Sequence, residues 1–450
     1  MTNLFLTRDK FMKQFPPVKI SKSEFVDIFR VTYKGDPSLS SIFDLSNIQS
    51  NKSVIKSTSD ARYKNKTKII EYFYDVIVAN RYKYLDTFYN SYFHFDNPYE
   101  LKWDKNSTTP LVELGKLEPS LLDEFNYSEI DKDRFIEILE YFIENNLTIV
   151  SVQKNDGARV LIRNLNYQDI LHLTKITNTS KCRVSFWQTL LNVYNDLVLE
   201  DRFFAPSSIG LYLRTKANGT INFNNFFYLF QQYQPKASIL NPFTIYWILE
   251  NYFKGRRLFT PVLSWCSYLM AFYHSDYESY VGVDVMKNVC DRAEFLATYY
   301  STLNQSNAER HVDIWCRPSE SLLHCSKFMK TYTNYFDTVL WCPPYFDMEI
   351  YQSNNQSVTN YPDYEEWLEK YFHQTVLLVN AVCKRGSKIG VIMNDYSNLQ
   401  GRYYPLIQDF VKILRLHFSL VNIIELANRV SPLRVNKRSR SEKLFIFQKE

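Results

Sequence analysis

Glycine is scarce, at 10 residues in a chain of 450. A sequence this poor in the residue that adopts left-handed backbone freely cannot be a collagen-like repeat or a glycine-rich flexible linker. It also lacks any Cys-x-x-Cys pair. Its cysteines, Cys182, Cys266, Cys290, Cys316, Cys325, Cys342 and Cys383, are odd in number and scattered, which argues against a disulfide framework and for reduced thiols. His311, Cys316, His324 and Cys325 lie close together without zinc-ligand spacing, so no metal is expected. No apolar run approaches the roughly 18 residues of a membrane span. The first residues carry Arg8, Asp9 and Lys10 where a signal peptide needs an apolar core. The expectation is a soluble, intracellular protein, cytoplasmic or nuclear, with no membrane partner.

Charge of either sign is also in small excess. A net charge of +5 cannot hold nucleic acid through the overall field, so any such partner must meet a local patch. Two basic segments offer one. Residues 52–68 mix Lys56, Arg62, Lys64, Lys66 and Lys68 with Tyr63, and residues 434–440 carry Arg434, Lys437, Arg438 and Arg440 on an expected hairpin. Both suit phosphate contact, and both also read as solvated loops.

A chain of 450 residues exceeds one ordinary hydrophobic core and implies two domains. Residues 1–234 show helical periodicity at 67–78, 134–143, 161–173 and 186–199 and carry no motif that can be tied to chemistry. This part is expected to be a mainly helical domain that recognises a target or binds a protein partner. Residues 235–450 alternate strands with helical stretches, the pattern of an α/β domain. Strands are expected at 257–263, 280–285, 311–316, 336–341, 388–393, 420–426 and 443–447, with a long amphipathic helix over 364–383 stopped by Gly386. Seven strands in this order suit a doubly wound sheet, whose ligands lie beyond the carboxyl ends of the strands.

At that edge stand the residues that carry chemistry. The fourth strand runs into Cys342-Pro343-Pro344-Tyr345-Phe346-Asp347. Two successive prolines fix φ near −65° and remove two donors, leaving carbonyls and the next aromatic ring projecting from the sheet. Phe336-Asp337-Thr338-Val339-Leu340 followed by Pro343-Pro344-Tyr345-Phe346-Asp347 resembles the catalytic motif of S-adenosylmethionine-dependent amino-methyltransferases. More narrowly it is similar to phage and large-virus DNA-modification methylases with a Ser-Pro-Pro-Tyr-Phe core. The resemblance implies a Rossmann-like methyltransferase fold and methyl transfer to an exocyclic amino group of adenine or cytosine in nucleic acid, DNA before RNA. Catalysis would fall to Cys342, Pro343, Pro344 and Tyr345. S-adenosylmethionine would contact Pro261, Ser264, Trp265, Asp284, Val285 and Arg317.

Two positions depart from the pattern of that family. Cys342 stands where it has Asp, Asn or Ser, and a thiol is a weak acceptor for amino hydrogens. The first loop, Thr260-Pro261-Val262-Leu263-Ser264-Trp265-Cys266, keeps the spacing of Asp-Pro-Thr-x-Gly-Trp-Gly but has Thr260 for the acid and Ser264 and Cys266 for the glycines. An alternative therefore stands beside the enzyme: a catalytically silent methyltransferase fold retained as a nucleic-acid-binding or assembly subunit.

Overall fold

A computed structural model describes residues 5–13, 21, 23, 86, 89–90, 93–94, 110–113, 148–150, 156–172, 174–175, 184–185, 239–303, 310–351, 353–398, 401–426 and 442–450. The helical expectations at 67–78, 134–143 and 186–199 and both basic segments lie outside these residues. The chain divides into two compact units, Met1–Asp96 with Ile170–Ala237, and Asn97–Asp169 with Ser238–Glu450. The expected division at 234/235 falls close to Ala237/Ser238, while residues 97–169 group with the C-terminal unit. In the first unit a short helix, Arg8–Met12, starts at Thr7, whose side chain accepts from the Lys10 amide. It buries Phe11 against Tyr89 and Phe93, and the Tyr89 hydroxyl donates to the Leu6 carbonyl at 2.8 Å.

The second unit is built on one mixed sheet of nine strands. In chain order these are β1 (Pro110–Glu113), β2 (Thr148–Val150), β3 (Arg257–Thr260), β4 (Ser279–Asp284), β5 (His311–Cys316), β6 (Phe336–Trp341), β7 (Cys383–Met393), β8 (Ser419–Leu426) and β9 (Glu442–Gln448). Across the sheet the order is β1-β2-β8-β9-β7-β6-β3-β4-β5. Strands β5, β4, β3, β6 and β7 are mutually parallel, and β9 runs antiparallel between β7 and β8. The sheet reverses its winding between β3 and β6, the switch point at which such folds bind ligands. The seven strands β3–β9 are those expected, and they form a Rossmann-like doubly wound sheet.

Two features differ from expectation. Strands β1 and β2 extend the sheet beyond β8, with β2 parallel to β8 at Glu425 and Leu426. Gly386 is not a helix stop: the preceding helix, Gln374–Val382, ends at Cys383, which is already extended. Gly386 lies inside β7 with φ +76°, where the register between β7 and β6 slips between Cys383 and Lys388. A bulge needs positive φ as much as a helix end does, which is why the sequence alone confuses them.

The core explains the rigidity of the carboxyl edge. Phe259, Val339, Trp341, Val391 and Phe445 are fully buried on the sheet. The helices above it supply Trp367, Phe372 and Phe410, the last two stacked at 3.8 Å between centroids. Each such ring contributes about 1.5–3 kcal/mol by burial. Gly282 on β4 is required by close approach, since a Cβ there would meet Leu263 Cδ2 at 2.3 Å. That allows the first loop to lie directly on β4.

Candidate functional site

The loop after β3 holds three consecutive non-glycine residues in left-handed backbone: Ser264 at φ 47°, Trp265 at 60° and Cys266 at 74°. Each costs roughly 1–2 kcal/mol relative to ordinary backbone. Two of them, Ser264 and Cys266, stand at the positions where glycine was expected, and both adopt the left-handed backbone that glycine takes freely. Local hydrogen bonds offset the strain: the Leu263 amide donates to the Val283 carbonyl at 2.9 Å, and the Cys266 amide to the Leu263 carbonyl at 3.1 Å. Cys266 is fully buried, its thiol pushed up by burial and donating to the Val289 carbonyl. Thr260 is tied into the core through the Tyr280 hydroxyl at 2.7 Å. Pro261 is buried and Ser264 half-buried.

Asp284 ends β4 as expected, with its carboxylate accepting from the Met286 amide at 3.0 Å. Burial pushes its carboxyl up to about 6, against the opposing pull of the Met286, Val285 and Leu263 amides. Val285 follows at the same edge, half-buried. Beyond β5, Arg317 is exposed, and its amide donates to the Trp315 carbonyl at 3.1 Å. Further into the turn, sequence reasoning missed Glu320. It is only 8% exposed, and burial raises its carboxyl to about 7. A buried carboxyl in a loop is a functional signal, but burial is not visible in sequence.

After β6, Cys342 and Tyr345 are half-buried. The Cys342 Sγ donates toward the Pro343 carbonyl at 3.9 Å and the Tyr345 hydroxyl at 4.0 Å. The Tyr345 phenol is raised well above its ordinary value by burial, then by Cys342 and Glu442. Its hydroxyl thus turns back toward Cys342. The loop reverses at Phe346, φ 43°, whose ring packs on Tyr364, Trp367 and Tyr404. Asp347 accepts from the Tyr396 hydroxyl at 2.6 Å, and Glu349 from the Tyr351 hydroxyl at 2.6 Å. Tyr351 meets Trp265 edge-on at 5.7 Å, which joins the loop after β3 to the segment after β6.

The first loop is also held from residues 156–169. Asn166, fully buried at the break after the helix Asp156–Leu165, donates through Nδ2 to the Trp265 carbonyl at 3.2 Å and to the Ile162 carbonyl at 3.0 Å. Its Oδ1 accepts from Arg292 at 3.2 Å. Arg292 also forms a buried ion pair with Asp169. Both amide hydrogens and the oxygen are thus engaged, and the amide fixes the carbonyl of a strained residue. Asn166→Ala is expected to cost about 1–3 kcal/mol of stability and to loosen the loop. Asn166→Asp keeps the acceptor for Arg292 but sets a carboxylate oxygen against the Trp265 and Ile162 carbonyls, so it should cost at least as much stability as alanine and also weaken ligand binding at the loop. Melting temperatures and calorimetric titrations of the two variants test this.

Pro261, Ser264, Trp265, Asp284 and Val285 thus share one edge with Cys342, Pro343, Pro344 and Tyr345, while the Arg317 side chain is exposed beside it. Among the described residues no cluster of His, Cys, Asp and Glu could hold a metal, and no helix is long and apolar enough to cross a membrane.

No family model matches the sequence, and no curated protein matches it. Solved structures align with part of the chain. SMU.776, a candidate methyltransferase solved with SAH, is 13% identical over 47% of this chain and 50% of its own, at a TM-score of 0.33. The N-methyltransferase NodS from Bradyrhizobium japonicum, in complex with S-adenosyl-L-homocysteine, is 10% identical over 45% of this chain and 81% of its own, at 0.28. A candidate DNA modification methylase from Thermus thermophilus is 18% identical over 30% and 50%, at 0.22. The chain spans half the length of the first of these. At these scores the alignments carry no argument about ligand or reaction, and the fold rests on the strand order.

Proposed function

We propose that the C-terminal unit binds S-adenosylmethionine and transfers its methyl group to an exocyclic amino group of adenine or cytosine in nucleic acid, DNA before RNA. The observation that carries this reading is the convergence, on one carboxyl edge, of the left-handed loop Ser264–Cys266, the carboxyl of Asp284 and the Cys342-Pro343-Pro344-Tyr345 segment. The residues fit the cofactor. Asp284 can accept from ribose hydroxyls, as carboxylates do at this place in nucleoside-binding sheets. Leu263 is right-handed and Ser264 left-handed, a succession that can receive an anion such as a carboxylate; with the Leu263 and Cys266 amides bonded to Val283 and Leu263, the Ser264 and Trp265 amides would have to serve. Pro261, Trp265, Val285 and Arg317 would complete the wall. Bound there, the cofactor supplies an electrophilic methyl sulfonium. The chain's own task is to hold the amino group: the Pro343 carbonyl accepts an amino hydrogen, and Tyr345 lines the base. A base in a duplex must leave the stack to reach such an edge. The first unit, residues 1–96 with 170–237, would recognise the target or a protein partner.

A second reading is supported by particular residues. Strain at Ser264, Trp265 and Cys266, and a thiol at Cys342, favour a silent domain that binds nucleic acid or a partner subunit.

Titration with S-adenosylhomocysteine separates them. Micromolar binding is expected, weakening as pH falls through about 6, because protonated Asp284 loses its acceptor. In the protein alone this group acts in the opposite direction. A carboxyl raised on folding favours the proton-bound native state, so the contribution of Asp284 to stability is fullest in acid and is lost as pH rises from the ordinary carboxylate range through about 6. No heat of binding at any pH, with salt-dependent binding of DNA intact, would establish the silent domain instead.

A further inference from the structure

The helix that follows the catalytic loop is interrupted. Between the short helix Tyr364–Trp367 and Gln374–Val382 runs a π-turn, Leu368–His373. Such turns shift the register of the side chains that follow and concentrate at functional sites. Tyr371 lies in this turn, 4% exposed. Its hydroxyl is buried and has no hydrogen-bond partner among the described residues. A buried unpaired hydroxyl is costly, and the fold keeps it. The groups acting most on it, after burial, are Glu320, Cys342 and Asp284, which stand at the ends of three different strands. The turn that carries the hydroxyl is held against the segment beyond β5 through Thr375 and Ser319, next to Glu320.

The turn is also fastened to the loop after β5. Thr375 Oγ1 donates to the Tyr371 carbonyl at 2.9 Å and shares a hydrogen bond of 2.9 Å with the Ser319 hydroxyl. The Tyr371 ring is held by Trp367 at 5.2 Å between centroids. Ring and backbone are thus anchored by groups other than the hydroxyl, and the phenol oxygen is left over from packing. Neither the π-turn nor the orphaned oxygen depends on the motif at Cys342, and what sets Tyr371 apart is that both occur together next to the loop after β5.

We infer that Tyr371 is a further cofactor-binding residue, whose hydroxyl completes its hydrogen bonding on the nucleoside part of the ligand, beside the loop after β5. This rests on the functional reading above. The pairing explains why an unpaired polar atom persists: the bare protein carries the penalty, and the bound ligand removes it.

Tyr371→Phe tests this, because it deletes only the oxygen. S-adenosylhomocysteine is titrated into the full-length wild type and the variant by calorimetry, and both proteins are melted without ligand. The expected result is a variant that melts at the wild-type temperature or higher, since an unsatisfied group has been removed, yet binds about tenfold more weakly, as for one lost hydrogen bond. Equal affinity in the two proteins would overturn the role of Tyr371 alone, leaving the functional reading standing. Loss of melting temperature together with affinity would make the hydroxyl structural and overturn it as well. Absence of binding by the wild type would overturn both.

Discussion

Asp169→Ala is expected to remove about 3–5 kcal/mol of stability, the cost of leaving a buried charge without its partner. Arg292 and Asp169 are 9% and 5% exposed at their side chains, and Arg292 would keep only the neutral Asn166 Oδ1 at 3.2 Å. The Asn288 amide, which donates to Asp169 at 3.4 Å, would lose its acceptor too. Denaturant titration reads the loss as a lower midpoint with unchanged slope. A paired change, Asp169→Leu with Arg292→Met, should recover most of it, because packed apolar residues often replace a buried ion pair at little cost. An Asp169→Ala variant within roughly 0.5 kcal/mol of wild type, the scale of a surface substitution, would show that the pair contributes nothing. The effect should also reach the site. Arg292 lies on the helix Lys287–Leu303 that follows Asp284, and through Asn166 it bears on the Trp265 carbonyl.

These contacts mark the limit of what the sequence discloses. Strands β3–β9 could be read because each is a short apolar or alternating run bounded by breakers. Two loop residues after β3 could be read as unusual because glycine was expected at Ser264 and Cys266, and the backbone there is left-handed. The contribution of residues 110–169 could not. β2 pairs with β8 across most of the chain, and Asn166 finds Trp265 at a separation of 99 residues. Asn164, Asn166 and Asp169 inside an otherwise apolar, helix-compatible stretch were the available signal, since buried polar groups need partners. They are 1%, 0% and 5% exposed, and each reads in sequence as the polar face of a helix. Glu320 and Tyr371 fail for the same reason. A lone acid in a turn and a tyrosine in an amphipathic helix look solvated and core-forming respectively, and only burial reveals the one as a buried carboxyl and the other as a hydroxyl without a partner.

Cys342→Ser is expected to raise the rate of methyl transfer in single turnover by about 10²–10³-fold, with cofactor affinity unchanged. The exocyclic nitrogen shares its lone pair with the ring, so transfer needs an acceptor that grips an amino hydrogen and returns that pair to nitrogen. One well-placed polar contact of this kind is worth about 2.7–4 kcal/mol in comparable sites, and sulfur supplies little of it. The geometry favours serine as the replacement. The thiol reaches its two neighbours only at 3.9 and 4.0 Å, distances at which sulfur still bonds and oxygen does not. A hydroxyl on the shorter C–O bond would be held less closely by Pro343 and Tyr345 than the thiol is, and would be better placed to turn toward a substrate. The backbone needs no adjustment, because Pro343 and Pro344 fix their own φ angles whatever precedes them. Rapid-quench assays on DNA, with cofactor saturation checked for each protein, give the rate. If the variant binds cofactor as the wild type does and transfers no faster, the side chain at 342 is not the amino-group acceptor, and the task falls to the Pro343 carbonyl alone. If neither protein transfers while both bind cofactor, the fault lies beyond this position, and the unit holds its ligand without turning it over.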